Sequence, residues 1–110
     1  MNHLSNDMHA CIQECLKCHT TCLSAAMNHC LEAGGPHTEP EHFRLMIACA
    51  EMCRTAAAVM AIGTALHKET CRACAEFCTR CAESCAALDG MEDCAEQCRP
   101  CARHCSAMAA

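Results

Sequence analysis

The stretch CRACAEFCTRCAESC, residues 71–85, sets five cysteines at gaps of three, four, three and four. That alternation averages about 3.5 residues, the period of one face of an α-helix packed in a bundle. A strand would repeat every two residues. The fillers are Arg, Ala, Glu, Phe, Thr and Ser, all compatible with a helix. No Gly or Pro breaks the run, as one would between the cysteine pairs of a zinc ribbon or ferredoxin loop. Five sulfurs should therefore line one side of a helix about four turns long. The unit C-x3-C-x2-C-x3-C recurs at Cys11–Cys22, Cys74–Cys85 and Cys94–Cys105, so similar helices should contribute similar ladders to one interior.

Four helical segments follow, at roughly 4–32, 39–62, 65–88 and 91–108, within one domain spanning 1–110. The first carries the stripe Leu4, Met8, Cys11, Cys15, Cys18, Cys22, Ala25 and His29. Gly34, Gly35 and Pro36 end it. Thr38 with Glu41 reads as a capping box, with Pro40 in the first turn. The second segment, poor in cysteine, carries His42, Met46, Cys49, Cys53, Ala56 and Met60. Gly63 marks the next turn, with Thr64 as N-cap. The third carries His67, Cys71, Cys74, Cys78, Cys81, Cys85 and Leu88, and Asp89-Gly90 turns the chain. The fourth carries Met91, Cys94, Cys98, Cys101, Cys105 and Met108, with Pro100 predicting a bend or a shifted boundary. Amphipathic helices with short connections predict an all-α, antiparallel up-down-up-down four-helix bundle with a cysteine-lined core. One tip, next to the longest linker, would gather His29, Cys30, His37, His42, Met46 and Met91. The other would gather Met8, Met60, His67, His104 and Met108.

Composition sharpens this reading. Leu, Ile, Val and Phe number 13 of 110 residues, low enough to suggest disorder by composition alone. The helical periodicity resolves the conflict: Cys and Ala must form the core, since a protonated Cys behaves as a small hydrophobe. The net charge of −5 includes no basic patch, and with no Trp or Tyr and two Phe nucleic acid is an unsuitable partner. The longest apolar stretch falls short of a membrane span. The N-terminus MNHLSNDMHACIQEC lacks a basic start and an apolar run, so no signal peptide is expected and the protein is placed in the cytoplasm. Sixteen cysteines in a reducing compartment point to metal rather than disulfides. Cysteines at i, i+3 or i, i+4 also point outward nearly in parallel, a poor fit to disulfide torsions.

Soft thiolates select Cu(I), zinc or iron–sulfur clusters. Zinc prefers discrete tetrahedral sites, and clusters take four cysteines, normally from loops. A continuous ladder fits Cu(I) better, because each ion accepts two or three thiolates and each thiolate can bridge two ions. One Cu(I) per cysteine would neutralise the tube at roughly 16 ions, whereas zinc with four thiolates leaves about two negative charges per site in a dry core. The expected ligands are Cys11, Cys15, Cys18, Cys22, Cys30, Cys49, Cys53, Cys71, Cys74, Cys78, Cys81, Cys85, Cys94, Cys98, Cys101 and Cys105. His29, His42, Met46 and Met91 stand with them at the linker-side tip, the favoured entrance, where the methionines read either as core packing or as ligands that receive Cu(I). Cys30 is the exception, two turns and about 80° beyond Cys22, so it reads as an entrance ligand or as a partly buried thiol. His3, His9 and His19 read as surface residues, and Met1-Asn2-His3 as an incidental Cu(II) chelate. A second apolar stripe on the second helix (Leu45, Ala48, Met52, Val59, Ile62 and Leu66) points to an oligomer or a wide core face. The alternatives to a Cu(I) store and buffer are an iron–sulfur electron-transfer protein, a metallothionein-like zinc buffer and a thiol oxidoreductase using Cys98–Cys101. No nucleophile–base–orienter set is visible, so no enzyme is expected.

The four cysteine ladders, the CxxxC and CxxC pairs and the tail CARHCSAMAA resemble the bacterial copper storage proteins, and the N-terminus resembles their cytosolic branch. The resemblance covers essentially the whole chain. It implies multiple Cu(I) ions held by cysteine pairs along and between four helices, and a homotetramer. The expected partners are copper ions and a donor, either a copper chaperone or a small-molecule thiol. Ala56 and Met60 depart from the ladder pattern at one level of the core.

Overall fold

The computed structural model describes residues 4–110; Met1-Asn2-His3 and its chelate reading lie outside the described residues. Helix α1 comprises Asn6–Ser24, a π-helical stretch Ala25–Cys30 and a last α-helical turn Leu31–Ala33. A short 3-10 turn, Gly35–Thr38, leads into α2 (Pro40–Ile62). Helices α3 (His67–Ala86) and α4 (Glu92–Ala109) complete the chain. Helix α1 packs against α2 and α4, and α3 packs against the same two, so the helices form a square antiparallel bundle. It is 46 Å long and 23 by 18 Å across.

Local chemistry accounts for most boundaries. Ser5 caps α1, its Oγ accepting the Met8 N–H at 3.1 Å. At α2 the cap sits one residue later than the sequence suggests. Glu39, not Thr38, is the N-cap, and its Oε1 accepts the His42 N–H at 3.0 Å, while Pro40 takes the first turn. Thr38 turns back instead and donates to the Gly35 carbonyl. Gly63 ends α2 in the left-handed region at φ 87°, which its missing Cβ permits. Thr64 accepts the Leu66 N–H and shapes the turn before α3 rather than capping the helix itself. Helix α4 continues through Pro100 without a shifted boundary. The proline ring leaves only the Glu96 carbonyl without its usual donor.

Each helix turns its cysteines inward and sets small residues beside them. Ala26, Ala50, Ala56, Ala57, Ala75, Ala82 and Ala95 are buried between the ladders. Side chains this small let the backbones approach closely, so sulfurs of facing helices touch. The larger core residues Met46, Met60 and Met91 sit towards the two ends. On the outside, Arg54–Glu51, Arg72–Glu69 and Arg80–Glu76 pair along single helices. All are exposed, and such pairs contribute little.

Two readings of the sequence need correction. Helix α2 is long and apolar enough to cross a membrane by length and composition, with a mean hydropathy of 1.7, contrary to the expectation that no stretch would be. One of its faces explains part of that value, because His42, Met46, Cys49, Cys53, Ala56 and Met60 form a wall of the core. The opposite face remains apolar, with Leu45, Met52 and Val59 half-buried and Ile62 exposed, while Leu66 lies beyond Gly63 in the turn before α3.

The second correction concerns the end of α1. Ala26 and Cys30 face inward, not Ala25 and His29. In a regular helix Cys30 would stand about 80° past Cys22. The π stretch absorbs one surplus residue, with the Leu31 N–H reaching back five residues to the Ala26 carbonyl. Seven effective steps instead of eight return Cys30 to within about 20° of the stripe. Met27, which is exposed, can therefore be removed without loss of phase. We expect deletion of Met27 to straighten α1, keep Cys30 buried and leave the unfolding free energy within about 1 kcal/mol of the parent. Alkylation of native protein followed by peptide mapping would show Cys30 still protected.

Candidate metal centre

All sixteen cysteines are free and buried. Their sulfurs form one connected file along the bundle axis. At the end away from the linker, Cys11 and Cys15 lie 3.8 and 3.5 Å from Cys105. Cys101 is 3.7 Å from Cys15 and 3.9 Å from Cys53, which touches Cys78 at 3.5 Å. Cys78 leads to Cys49 at 3.8 Å. On the facing wall Cys98 is 3.7 Å from Cys18 and 3.5 Å from Cys22, and Cys22 is 3.3 Å from Cys94. On α1, α3 and α4 the repeat of gaps 4, 3 and 4 puts one sulfur at each successive level of the ladder.

Several sets of four sulfurs lie within 4.8 Å of one another, among them Cys15/Cys74/Cys101/Cys105, Cys18/Cys49/Cys53/Cys78 and Cys22/Cys81/Cys94/Cys98. Others share members: Cys18, Cys22, Cys49 and Cys98 form one, and Cys53, Cys74, Cys78 and Cys101 another. The middle of the centre is thus a continuous band of donors, in which sulfurs such as Cys18, Cys22, Cys53 and Cys78 belong to two neighbouring sets. At the level of Ala56 and Met60, both fully buried, α2 supplies no thiol and the donors come from three helices.

Burial disfavours the thiolate form along the whole centre, beside the hydrogen bonds that the sulfurs make with one another. Desolvation pushes the Cys30 thiol above its ordinary value, with the charges of Cys94 and Cys81 adding to it. Hydrogen bonds with Cys81 and Cys94, and then burial, hold Cys85 well above as well. No Lys or Arg enters the core; His42 is the buried polar residue among those described. A core of sixteen thiolates without metal would have no counter-charge, so ionising the whole file depends on bringing in cations.

At the linker-side tip the file ends in a different donor set. Cys30 Sγ lies 3.7 Å from Met46 Sδ, 3.8 Å from Met91 Sδ and 3.9 Å from both His42 Nε2 and His37 Nδ1. The other His42 nitrogen, Nδ1, is 2.7 Å from Ser84 Oγ. That contact fixes the ring so that Nε2 faces Cys30. Burial lowers the His42 pKa from its ordinary value. His42, Met46 and Met91 are therefore gathered around Cys30, as their stripe positions suggest. His29 is not gathered with them. The π stretch turns it outward, where its ring meets His37 edge-on at 5.0 Å and its Nε2 abuts the space where a Cβ of Gly90 would stand. His37 and Ser84 are absent from the ligand set read from the sequence. His37 sits in the linker with no helical stripe to mark it, and Ser84 lies on the flank of α3 beside the cysteine ladder. His19, expected at the surface, is half-buried, and its Nδ1 donates to the Ala50 carbonyl at 2.8 Å, tying α1 to α2.

Comparison with known proteins agrees with this architecture. The cysteine-rich protein YhjQ of Bacillus subtilis is 34% identical over 80 residues, 73% of each chain. A Nitrosospira multiformis protein of known crystal structure is 52% identical and superimposes with a TM-score of 0.92 over 94% of both chains. The Cu(I)-bound copper storage protein BsCsp3 is 33% identical with a TM-score of 0.86, over 96% of this chain and all of the other. A cytosolic copper storage protein from Streptomyces lividans, solved with five coppers, is 30% identical with a TM-score of 0.79, over 94% and 92% of the two chains. Residues 4–110, all that the structure describes, match the copper storage protein family, and the chain belongs to it.

Proposed function

We propose that this chain stores and buffers multiple Cu(I) ions in the cytoplasm, held by the thiolates of its sixteen cysteines. The observation that carries this reading is the sharing of sulfurs between neighbouring four-sulfur sets, as with Cys18, Cys22 and Cys53. Shared corners suit an ion that accepts bridging thiolates. The Cu(I)-bound relatives support it. Cys30, His42, Met46 and Met91 form a mixed-donor site at the tip, and His29 acts from the surface beside it. No residue is assigned a catalytic role. The supply comes from a copper chaperone or a small-molecule thiol.

A zinc reading has one observation in its favour. Three of the four-sulfur sets share no member, which would allow three separate tetrahedral sites. Each would carry about two negative charges, and the core offers no cation to offset them. Cu(I) at one ion per thiolate needs none.

The test is anaerobic titration of reduced protein with Cu(I) against a chromogenic chelator. We expect ten or more equivalents, of the order of one per cysteine, to be withheld. Uptake that stops near one or two would sink the storage reading, and zinc saturating at three would favour the alternative.

Stability against pH gives a second measurement. His42 is depressed below 6.5 in the fold, so the unfolded chain takes up its proton first and stability falls as pH drops below that value. Cys30 is raised above 9.0, so the unfolded chain ionises first and stability falls as pH rises past it. The empty protein should be most stable between these limits. Loading with Cu(I) should abolish the alkaline decline, because the thiols are then already ionised and neutralised. Thermal melts of both forms at pH 7 and 10 would show it.

Helix α2 keeps Leu45, Met52 and Val59 half-buried and Ile62 exposed on its outer face, and we assign this face to a homotetramer contact. Val59→Glu with Ile62→Lys should convert the assembly to monomers in sedimentation, with copper capacity per chain retained. A parent protein that sediments as a monomer would remove this assignment.

A further inference from the structure

One cysteine of the buried file also lines a surface groove. That residue is Cys94, buried like the other fifteen. It forms part of the floor of a surface groove of about 480 Å³ between α1 and α4. Thr21, Ser24, His29, Gly90 and Asp93 line the walls. Three other grooves of comparable size carry no sulfur in their lining. Inside the bundle Cys94 Sγ meets Cys22 Sγ at 3.3 Å, and Cys22 continues to Cys98 at 3.5 Å. Cys94 therefore has the groove on one side and the connected file of sulfurs on the other.

We propose that the α1–α4 groove is the docking site for a Cu(I) complex of a low-molecular-weight thiol, and that Cys94, followed by Cys22, is the pair that takes the ion from it. This rests on the storage reading and names its donor class and doorway. The groove has the volume of a small organic ligand, within the range of typical ligand sites. Its hydroxyls and His29 offer hydrogen bonds to the polar groups that such thiols carry. A folded carrier protein does not fit inside it, whereas a small thiol complex does.

The exchange balances without any oxidant. A donor complex in which two thiolates hold one Cu(I) meets the Cys94 thiol. The Cys94–Cu bond forms, one donor–Cu bond breaks, and the departing thiolate takes the Cys94 proton and leaves as a thiol. Cys22 repeats the step on the same ion. The second donor leaves protonated, and copper, still Cu(I), is held between two helices of the bundle. Further exchange along Cys98 moves it inward and frees Cys94 for the next ion. The π stretch of α1 contributes at the rim: by turning His29 outward it puts an imidazole over the groove instead of in the core.

The test uses the full chain, reduced and anaerobic, mixed with Cu(I)–glutathione, following the ultraviolet absorbance of new copper–thiolate bonds. Cys94→Ser should slow loading by roughly tenfold or more, because exchange at the thiol that lines the groove is lost. Ser24→Trp fills the groove without removing sulfur and should slow it similarly. Glu83→Trp, in the sulfur-free groove between α3 and α4, should load at the parent rate. Brief alkylation of the empty protein should label Cys94 before any other cysteine. Parent-like loading by both Cys94→Ser and Ser24→Trp, or first labelling at another cysteine, would overturn the proposal. The equilibrium capacity of the parent reports on the storage reading separately, so a slow doorway and an absent store cannot be confused.

Discussion

Contact between sulfurs of facing helices sets the geometry of this bundle. A thiol is small, so helices that meet through cysteine and alanine approach until sulfurs stand 3.3 to 3.9 Å apart. Neutral, such a contact is ordinary packing between weakly polar atoms. With the proton replaced by a soft cation, the same pair becomes a ligand set. The two requirements coincide because the a and d positions of a bundle helix are both the buried positions and the ones that face other helices. The protein thus needs no separate core beside its metal-binding band.

The price of this economy appears at the ends, where the ladder stops and larger side chains close the tube. Met46, Met60 and Met91 are the bulky buried residues there. Near the linker, Met46 and Met91 surround Cys30 together with two imidazoles. Thioether and imidazole donors carry no charge to neutralise, so this tip can hold a cation without adding negative charge to the core. The Ser84 hydroxyl keeps the His42 ring turned towards Cys30, an arrangement by which outer groups commonly orient a metal ligand.

Much of this was legible in the sequence because spacing and chemistry pointed the same way. The ladders from Cys11 to Cys22, Cys74 to Cys85 and Cys94 to Cys105 have one period, and that period places them inside. Cys30 was not legible, because its phase assumes a uniform helix and nothing in AAMNHC announces a π turn. The same shift displaced His29. The cap of α2 moved from Thr38 to Glu39 because two acceptors stand side by side before Pro40, and only the three-dimensional path of the chain chooses between them. Ser84 and His19 act through single hydrogen bonds to groups far along the chain, and no local pattern encodes those. The apolar length of α2 was misjudged because its inward stripe was counted as core while its outward stripe was weighed separately; together they make one long hydrophobic helix.

Protonated cysteines pack this core as small hydrophobes, and the buried side-chain N and O atoms among the described residues all have protein partners. Many small metal-binding domains take their shape only when the ion arrives, and lose it when the ion leaves. Here shape and cargo are uncoupled. A core that packs through thiols alone does not need the ion to give it shape, so giving up copper need not unravel the chain. The same polypeptide can be emptied and refilled many times. Its lifetime in the cell is then set by the stability of the bundle, and not by how often it is drawn upon.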